Sequence, residues 1–187
     1  MVDFLLFLTP LIAYAKNNIQ LASLNVHGLA NKLVYDDLEE FISKYDIVCL
    51  CETFCISEDY ENPLHDQNSI HNYTLIHKPR DKCSRASGGL CCAISNDFIQ
   101  FVKHVPNECC FLLWLKIDKS VFHTDEDIFL ANVYVPPEGS LYVTATCFDE
   151  IENEVTEFMK LSKYVIIAGD LNAHTKHTPR YYFPGPH

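Results

Sequence analysis

Three apolar runs of this chain end in residues able to do hydrolytic chemistry. They are Asn25 in "SLNVHGL", Glu52 in "CLCET", and Asp170 with Asn172 in "GDLNAH". Strand ends that gather at one edge of a sheet make a natural site. Two carboxylates brought together there would repel or share a proton. A divalent cation removes that penalty. Mg²⁺ needs only one or two carboxylates and completes its shell with waters and substrate phosphate oxygens. An asparagine beside it can donate to a phosphate oxygen and accept from an attacking water. The chemistry indicated is metal-assisted phosphoester hydrolysis, with Mg²⁺ or Mn²⁺ as cofactor. Each stretch alone also fits ordinary turn chemistry, because Asx side chains at strand ends bond their own backbone. The weight lies in several such stretches occurring in a fixed order.

The elements that must position these residues alternate between strand and helix. Ile19 to Asn25 reads as a first strand. A helix follows in "YDDLEEFISKY", with Leu38, Phe41, Ile42 and Tyr45 on one apolar face. Asp46 to Thr53 returns as a short buried strand, an order that favours a parallel crossover. Phe54 to Asn72 reads as a long loop, and loops of that length are uncommon unless functional. Four β-rich runs come next: "YTLIH", "GGLCCAI", "CCFLLWLKI" and "IFLANVYV". With no helix among them, they suggest antiparallel hairpins. A second helix is expected near Ala145 to Leu161, burying Phe148, Ile151, Val155 and Phe158. "YVIIAGD" is the last clear strand. The class is mixed α/β with helices covering sheet.

The 187 residues suit one domain, and 48% hydrophobic content supplies a large core. The formal charge of −11 does not advertise a nucleic-acid binder, whose footprint is usually basic. A bound metal ion can nevertheless supply positive charge locally. The nine cysteines form no C-x-x-C pair, so the usual zinc spacing is missing. Several sit inside apolar runs and read as reduced core residues. Residues 1–18 form an apolar leader in which Phe4 to Ala15 is uncharged but too short to span a bilayer as a helix. Its end, Ala13-Tyr14-Ala15, has the small-x-small look of a signal-peptidase site, though Asp3 rather than Lys or Arg precedes the run. Cleavage there would imply secretion. Otherwise the leader is a non-native extension or a surface segment, and a nuclear or cytoplasmic protein is expected.

"SLNVHGL", "DIVCLCET", "GGLCCAI", "ANVYVPPEG" and "VIIAGDLNAHT", in that order, resemble the endonuclease/exonuclease/phosphatase superfamily. Within it they are most similar to the apurinic/apyrimidinic-type endonuclease domains of non-LTR (LINE-like) retrotransposons. The resemblance covers about residues 19–175 and leaves 176–187 as an irregular tail. It implies a four-layer α/β sandwich, two packed mixed sheets flanked by helices. It implies Glu52 as the principal Mg²⁺ ligand, with Asn25 and Asp170 beside the metal. Tyr134 would bond the scissile phosphate, Asp170 would orient or activate the attacking water, and Asn172 would hold the phosphate or that water. DNA is the implied substrate, with a reverse-transcriptase region as a continuation in the parent element. His27 stands where related elements often carry Arg and would be a weaker phosphate partner at neutral pH. His174 is a second candidate for substrate contact, although a loop histidine is the simpler reading.

One part of the superfamily pattern is missing. Its C-terminal Ser-Asp-His-type motif has no counterpart after Thr175 in "KHTPRYYFPGPH". On this reading the fold is incomplete at the C-terminus, an unpaired sheet edge is left, and catalysis is impaired. Two other readings stay open. One keeps the fold but acts as a phosphatase or phospholipid phosphodiesterase; the other is a non-catalytic truncated relic.

Overall fold

The computed structural model describes residues 18–55, 70–79, 88–140 and 145–172. Residues 1–17 of the apolar leader, most of the long loop, Cys83, His174 and the 176–187 tail lie outside the described residues. Eight strands form two four-stranded sheets. In chain order they are β1 (Leu21–Asn25), β2 (Ile47–Cys51), β3 (Tyr73–Lys78), β4 (Leu90–Ser95), β5 (Val102–Val105), β6 (Leu112–Ile117), β7 (Ile128–Tyr134) and β8 (Val165–Asp170). The helices are α1 (Leu29–Lys32), α2 (Asp36–Ile42) and α3 (Cys147–Leu161).

The sheets have orders β1-β2-β4-β3 and β5-β6-β7-β8. Each carries one parallel pair at an edge: β1 with β2, joined through α1 and α2, and β7 with β8, joined through α3. All other pairings are antiparallel, as the helix-free run of strands implies.

Residue alternation builds the layers, because neighbours in a strand face opposite sides of the sheet. Ile47, Cys49 and Cys51 of β2, with Leu90, Cys92 and Ile94 of β4, pack against Leu113, Leu115, Ile117, Ile128, Leu130 and Tyr134 of the second sheet. The intervening residues face outward. Val48, Leu50, Cys91 and Ala93 pack with Leu29, Leu38 and Ile42 of the first helical layer. Leu112, Trp114, Phe129, Ala131 and Val133 pack with Ile151 and Phe158 of α3. Trp114 stacks on Phe158 at 3.9 Å between ring centroids. The result is the expected four-layer α/β sandwich.

Several details differ from the sequence-based expectation. Phe148 does not join the buried face of α3: it is 53% exposed, and Cys147 is buried in its place. The buried stripe runs through Cys147, Ile151 and Phe158, so the contact seam follows i, i+4 spacing from the residue before Phe148. Helix α2 stops at Ile42, so Tyr45 lies beyond it. Its end is held from β3, where the Tyr73 hydroxyl is shared between the Ile42 and Tyr45 carbonyls at 2.9 and 2.6 Å. β5 is an unanticipated strand; Lys103 and His104 at its centre are exposed, so it lacks an apolar alternation. The eight described cysteines form no disulfide with one another, and all but Cys110 are buried.

Far from the β1 and β8 edges, Lys78 at the end of β3 clamps the 107–112 segment. Its ammonium donates toward the carbonyls of Asn107, Cys109 and Leu112 and the Asn107 Oδ1. From α3, Glu154 accepts from Trp114 Nε1, Asn107 Nδ2 and the Cys109 amide. The clamp thus joins the first sheet to the helix covering the second.

β8 is an edge strand among the described residues, with Ile166 and Ile167 at 41% and 46% exposure. Its course explains Gly169, where the apolar run breaks. Gly169 has φ 143°, and a Cβ there would overlap the Val133 carbonyl of β7. Only glycine lets the strand lie this close at that conformation. Gly169→Ala is expected to destabilise the protein by about 2–4 kcal/mol, read as the shift in a urea unfolding midpoint.

Candidate functional site

The two parallel pairs end side by side. In the first sheet Asn25 is in register with Cys51, so Glu52 follows directly. In the second, Tyr134 is in register with Asp170. Backbone hydrogen bonds continue past both strand ends. The amides of Val26, Gly28 and Leu29 donate to the carbonyls of Cys51, Glu52 and Thr53, and the Val135 amide donates to the Asp170 carbonyl. The loops after β1, β2 and β7 are therefore fastened to their neighbours where the polar residues emerge.

Across this edge the side chains of the two sheets meet. Asn25 Nδ2 donates to Glu52 Oε1 at 3.1 Å and to Asp170 Oδ2 at 3.2 Å. A single amide nitrogen therefore bridges carboxylates from opposite sheets. The Tyr134 hydroxyl donates to the same Glu52 Oε1 at 2.6 Å, again from sheet to sheet. His27 Nδ1 lies 2.8 Å from Glu52 Oε2, with the histidine side chain 79% exposed and the glutamate 15%. The His27 ring also meets Phe54 edge-on at 5.0 Å. Asn25 Oδ1 accepts from the His27 amide. Asp170 Oδ1 accepts from the Asn172 amide, and Asn172 Nδ2 donates to the Val135 carbonyl at 2.8 Å.

Of the residues singled out from the sequence, the structure brings Asn25, His27, Glu52, Tyr134, Asp170 and Asn172 into this one network. Two of these side chains are bonded within the protein. The Tyr134 hydroxyl is directed at Glu52, and the Asn172 amide is turned to the backbone of Val135.

Burial opposes ionisation of Glu52, but hydrogen bonds from Tyr134, His27 and Asn25 outweigh it and hold the carboxyl below its ordinary 4.5. Glu52 is thus an anion across the neutral range. Among the described residues, no cluster of three or more His, Cys, Asp or Glu is arranged as a metal cage. Two carboxylates and an amide are a protein contribution that Mg²⁺ accepts, because it completes its shell with waters and substrate oxygens.

Sequence reasoning missed two features. Of the six described non-glycine residues with positive φ, four belong to this network or flank it: His27 (45°), Glu52 (53°), Phe54 (59°) and Asn172 (45°). Such strain concentrates at functional sites, where surrounding structure holds side chains in place. The second is Asn132, an amide with 0% exposure on the inward face of β7. Its Nδ2 donates to the carbonyls of Leu50 and Cys91 at 3.1 and 3.0 Å, and its Oδ1 faces Cys51 Sγ at 3.4 Å. Burial pushes the Cys51 thiol up to about 12, so it keeps its proton and donates. A lone asparagine inside "IFLANVY" was the available signal for it.

Among curated proteins, none matches this chain. Among solved structures it is similar to the AP endonuclease LMAP from Leishmania major, with TM-score 0.67 and 19% identity over 89% of this chain and 59% of that one. It is also similar to the Xenopus laevis APE2 catalytic domain, with TM-score 0.60 and 14% identity over 83% and 59%. A third is the 3′ phosphatase NExo from Neisseria bound to a product DNA hairpin, with TM-score 0.55 and 13% identity over 83% and 58%. At these identities the likeness establishes the fold, and the chain spans less than two thirds of each of these structures. Residues 22–187 match the Endonuclease/Exonuclease/phosphatase family, a span that takes in both sheets and every residue of the network above, and the chain belongs to that family.

Proposed function

We propose that this chain carries a Mg²⁺- or Mn²⁺-dependent phosphodiesterase site of endonuclease type, acting on DNA. The observation that carries the reading is the bridging of Glu52 and Asp170, one from each sheet, by Asn25 Nδ2. Two carboxylates drawn to one point in a chain of charge −11 call for a cation. Glu52 and Asp170 would hold it, with Asn25 between them. When bound, the metal supplies positive charge to a phosphate and its developing oxyanions. Asp170 would take a proton from an attacking water at its carboxylate. Tyr134 and Asn25 hold the Glu52 carboxylate ionised and oriented. His27, exposed at the rim, would meet a phosphate of the substrate.

DNA is favoured as substrate by the ordered motifs that resemble LINE-like endonuclease domains, and by structural neighbours that include AP endonucleases and a DNA-bound 3′ phosphatase. The acidic composition is compatible with this because a metal centre locally reverses the sign of the field. A downstream reverse-transcriptase region in the parent element belongs to the same reading.

Titration calorimetry with Mg²⁺ is expected to show one site in the wild type and none in Glu52→Gln. Plasmid nicking in Mg²⁺ should likewise fall by at least about 100-fold in that variant, in keeping with loss of a metal ligand. Turnover of phospholipid headgroups without nicking would move the assignment to the other branch of the superfamily. The depressed Glu52 pKa also fixes a sign. An acid whose pKa is lowered on folding adds stability above its unfolded value, and that stability is lost as pH falls through the folded one. In metal-free protein, wild-type stability should therefore rise more steeply with pH around and below 4.5 than that of Glu52→Gln, measured as melting temperature against pH.

A further inference from the structure

We propose that Asn132 is a positioning residue that fixes the spacing between Glu52 and Tyr134; the inference rests on the metal-site reading above. Asn132 belongs to β7, yet its two amide N–H groups are spent on the other sheet. They donate to Leu50 of β2 and Cys91 of β4, which are register partners. Its carbonyl accepts from the thiol of Cys51, and that sulfur also lies 3.4 Å from the Val133 carbonyl. One side chain therefore pins three strands across a core that is otherwise apolar at this level.

The position matters because of strand periodicity. Asn132 and Tyr134 are two residues apart and both face the gap between the sheets. Leu50, which Asn132 grips, is two residues before Glu52. The Tyr134–Glu52 bond at 2.6 Å is thus one strand step beyond the Asn132–Leu50 bond at 3.1 Å. A hydrophobic residue of similar volume would pack here, but it would remove both cross-sheet hydrogen bonds to the Leu50 and Cys91 carbonyls. The sheets would then settle at a different spacing, and the carboxylate and phenol would part. Outer-shell partners of metal ligands typically change affinity by about 10- to 100-fold when removed.

The test compares Asn132→Leu with Ile117→Ala, a core substitution at the far end of β6 chosen to lower the melting temperature comparably. Two quantities are read: Mn²⁺ affinity, and the nuclear Overhauser contact between the Tyr134 ring and the Glu52 side chain in metal-free protein. Asn132→Leu is expected to lose the contact and to bind Mn²⁺ at least about 10-fold more weakly, while Ile117→Ala keeps both. Retention of both by Asn132→Leu would overturn the proposal. Should Asn132→Leu not fold, Cys51→Ala and Cys51→Ser decide. A loss of affinity in the alanine variant that serine restores supports the proposal, and unchanged affinity in the alanine variant overturns it. Wild-type protein that binds no Mn²⁺ would refute the metal site itself, and the Tyr134–Glu52 contact would then decide the role of Asn132 alone.

Discussion

Two carboxylates on one amide nitrogen are the constraint around which this molecule is arranged. Glu52 and Asp170 come from different sheets and are 118 positions apart in the chain. Bringing them together opposes their mutual repulsion, and the protein offsets this with hydrogen-bond donors: Asn25 between them, Tyr134 and His27 on Glu52, and the Asn172 amide on Asp170. None of these donors is a Lys or Arg. On the reading proposed above, a divalent cation completes the charge of this site.

The fold is the means of meeting that constraint. A parallel pair in each sheet delivers its C-terminal ends to the same edge of the sandwich. Parallel pairs need covering crossovers, which is why the helices lie outside and the apolar β-strand faces pair inside. Cross-sheet hydrogen bonds then do what apolar packing cannot, because packing is tolerant of small slides whereas a directional bond is not. Tyr134 to Glu52 and Asn132 to Leu50 are two such bonds at successive levels of the core. Their neighbours are residues whose backbone lies in the left-handed region, a cost of about 1–3 kcal/mol each for a non-glycine residue. The packed interior carries that cost so that the site residues stay put.

Much of this was legible in the sequence, for physical reasons. Apolar runs that end abruptly in Asn25, Glu52 and Asp170 announce where strands leave the core, because polar side chains seek the edge. The alternation within "IVCLC" and "LLWLKI" is invisible as hydropathy, since both faces are buried, yet unbroken apolar character was itself enough to mark covered strands. β5 was not legible because only its first residue is buried and the Lys103 and His104 at its centre are polar and exposed. Periodicity fixes a helical stripe only to within one residue, and in α3 the buried stripe starts at Cys147 rather than Phe148. The inward asparagine at 132 could be seen as an anomaly, but its partners on β2 and β4 are long-range and no local pattern encodes them. The partners of Tyr134 and Asn172 were likewise set by tertiary geometry.

The most direct test of the account is crystallography of the Mn²⁺-soaked protein with anomalous diffraction. A single anomalous peak is expected at the Glu52 and Asp170 carboxylates, with the Asn25 bridge between them altered. No peak there at millimolar Mn²⁺, with the Asn25 bridge intact and the protein otherwise ordered, would contradict it.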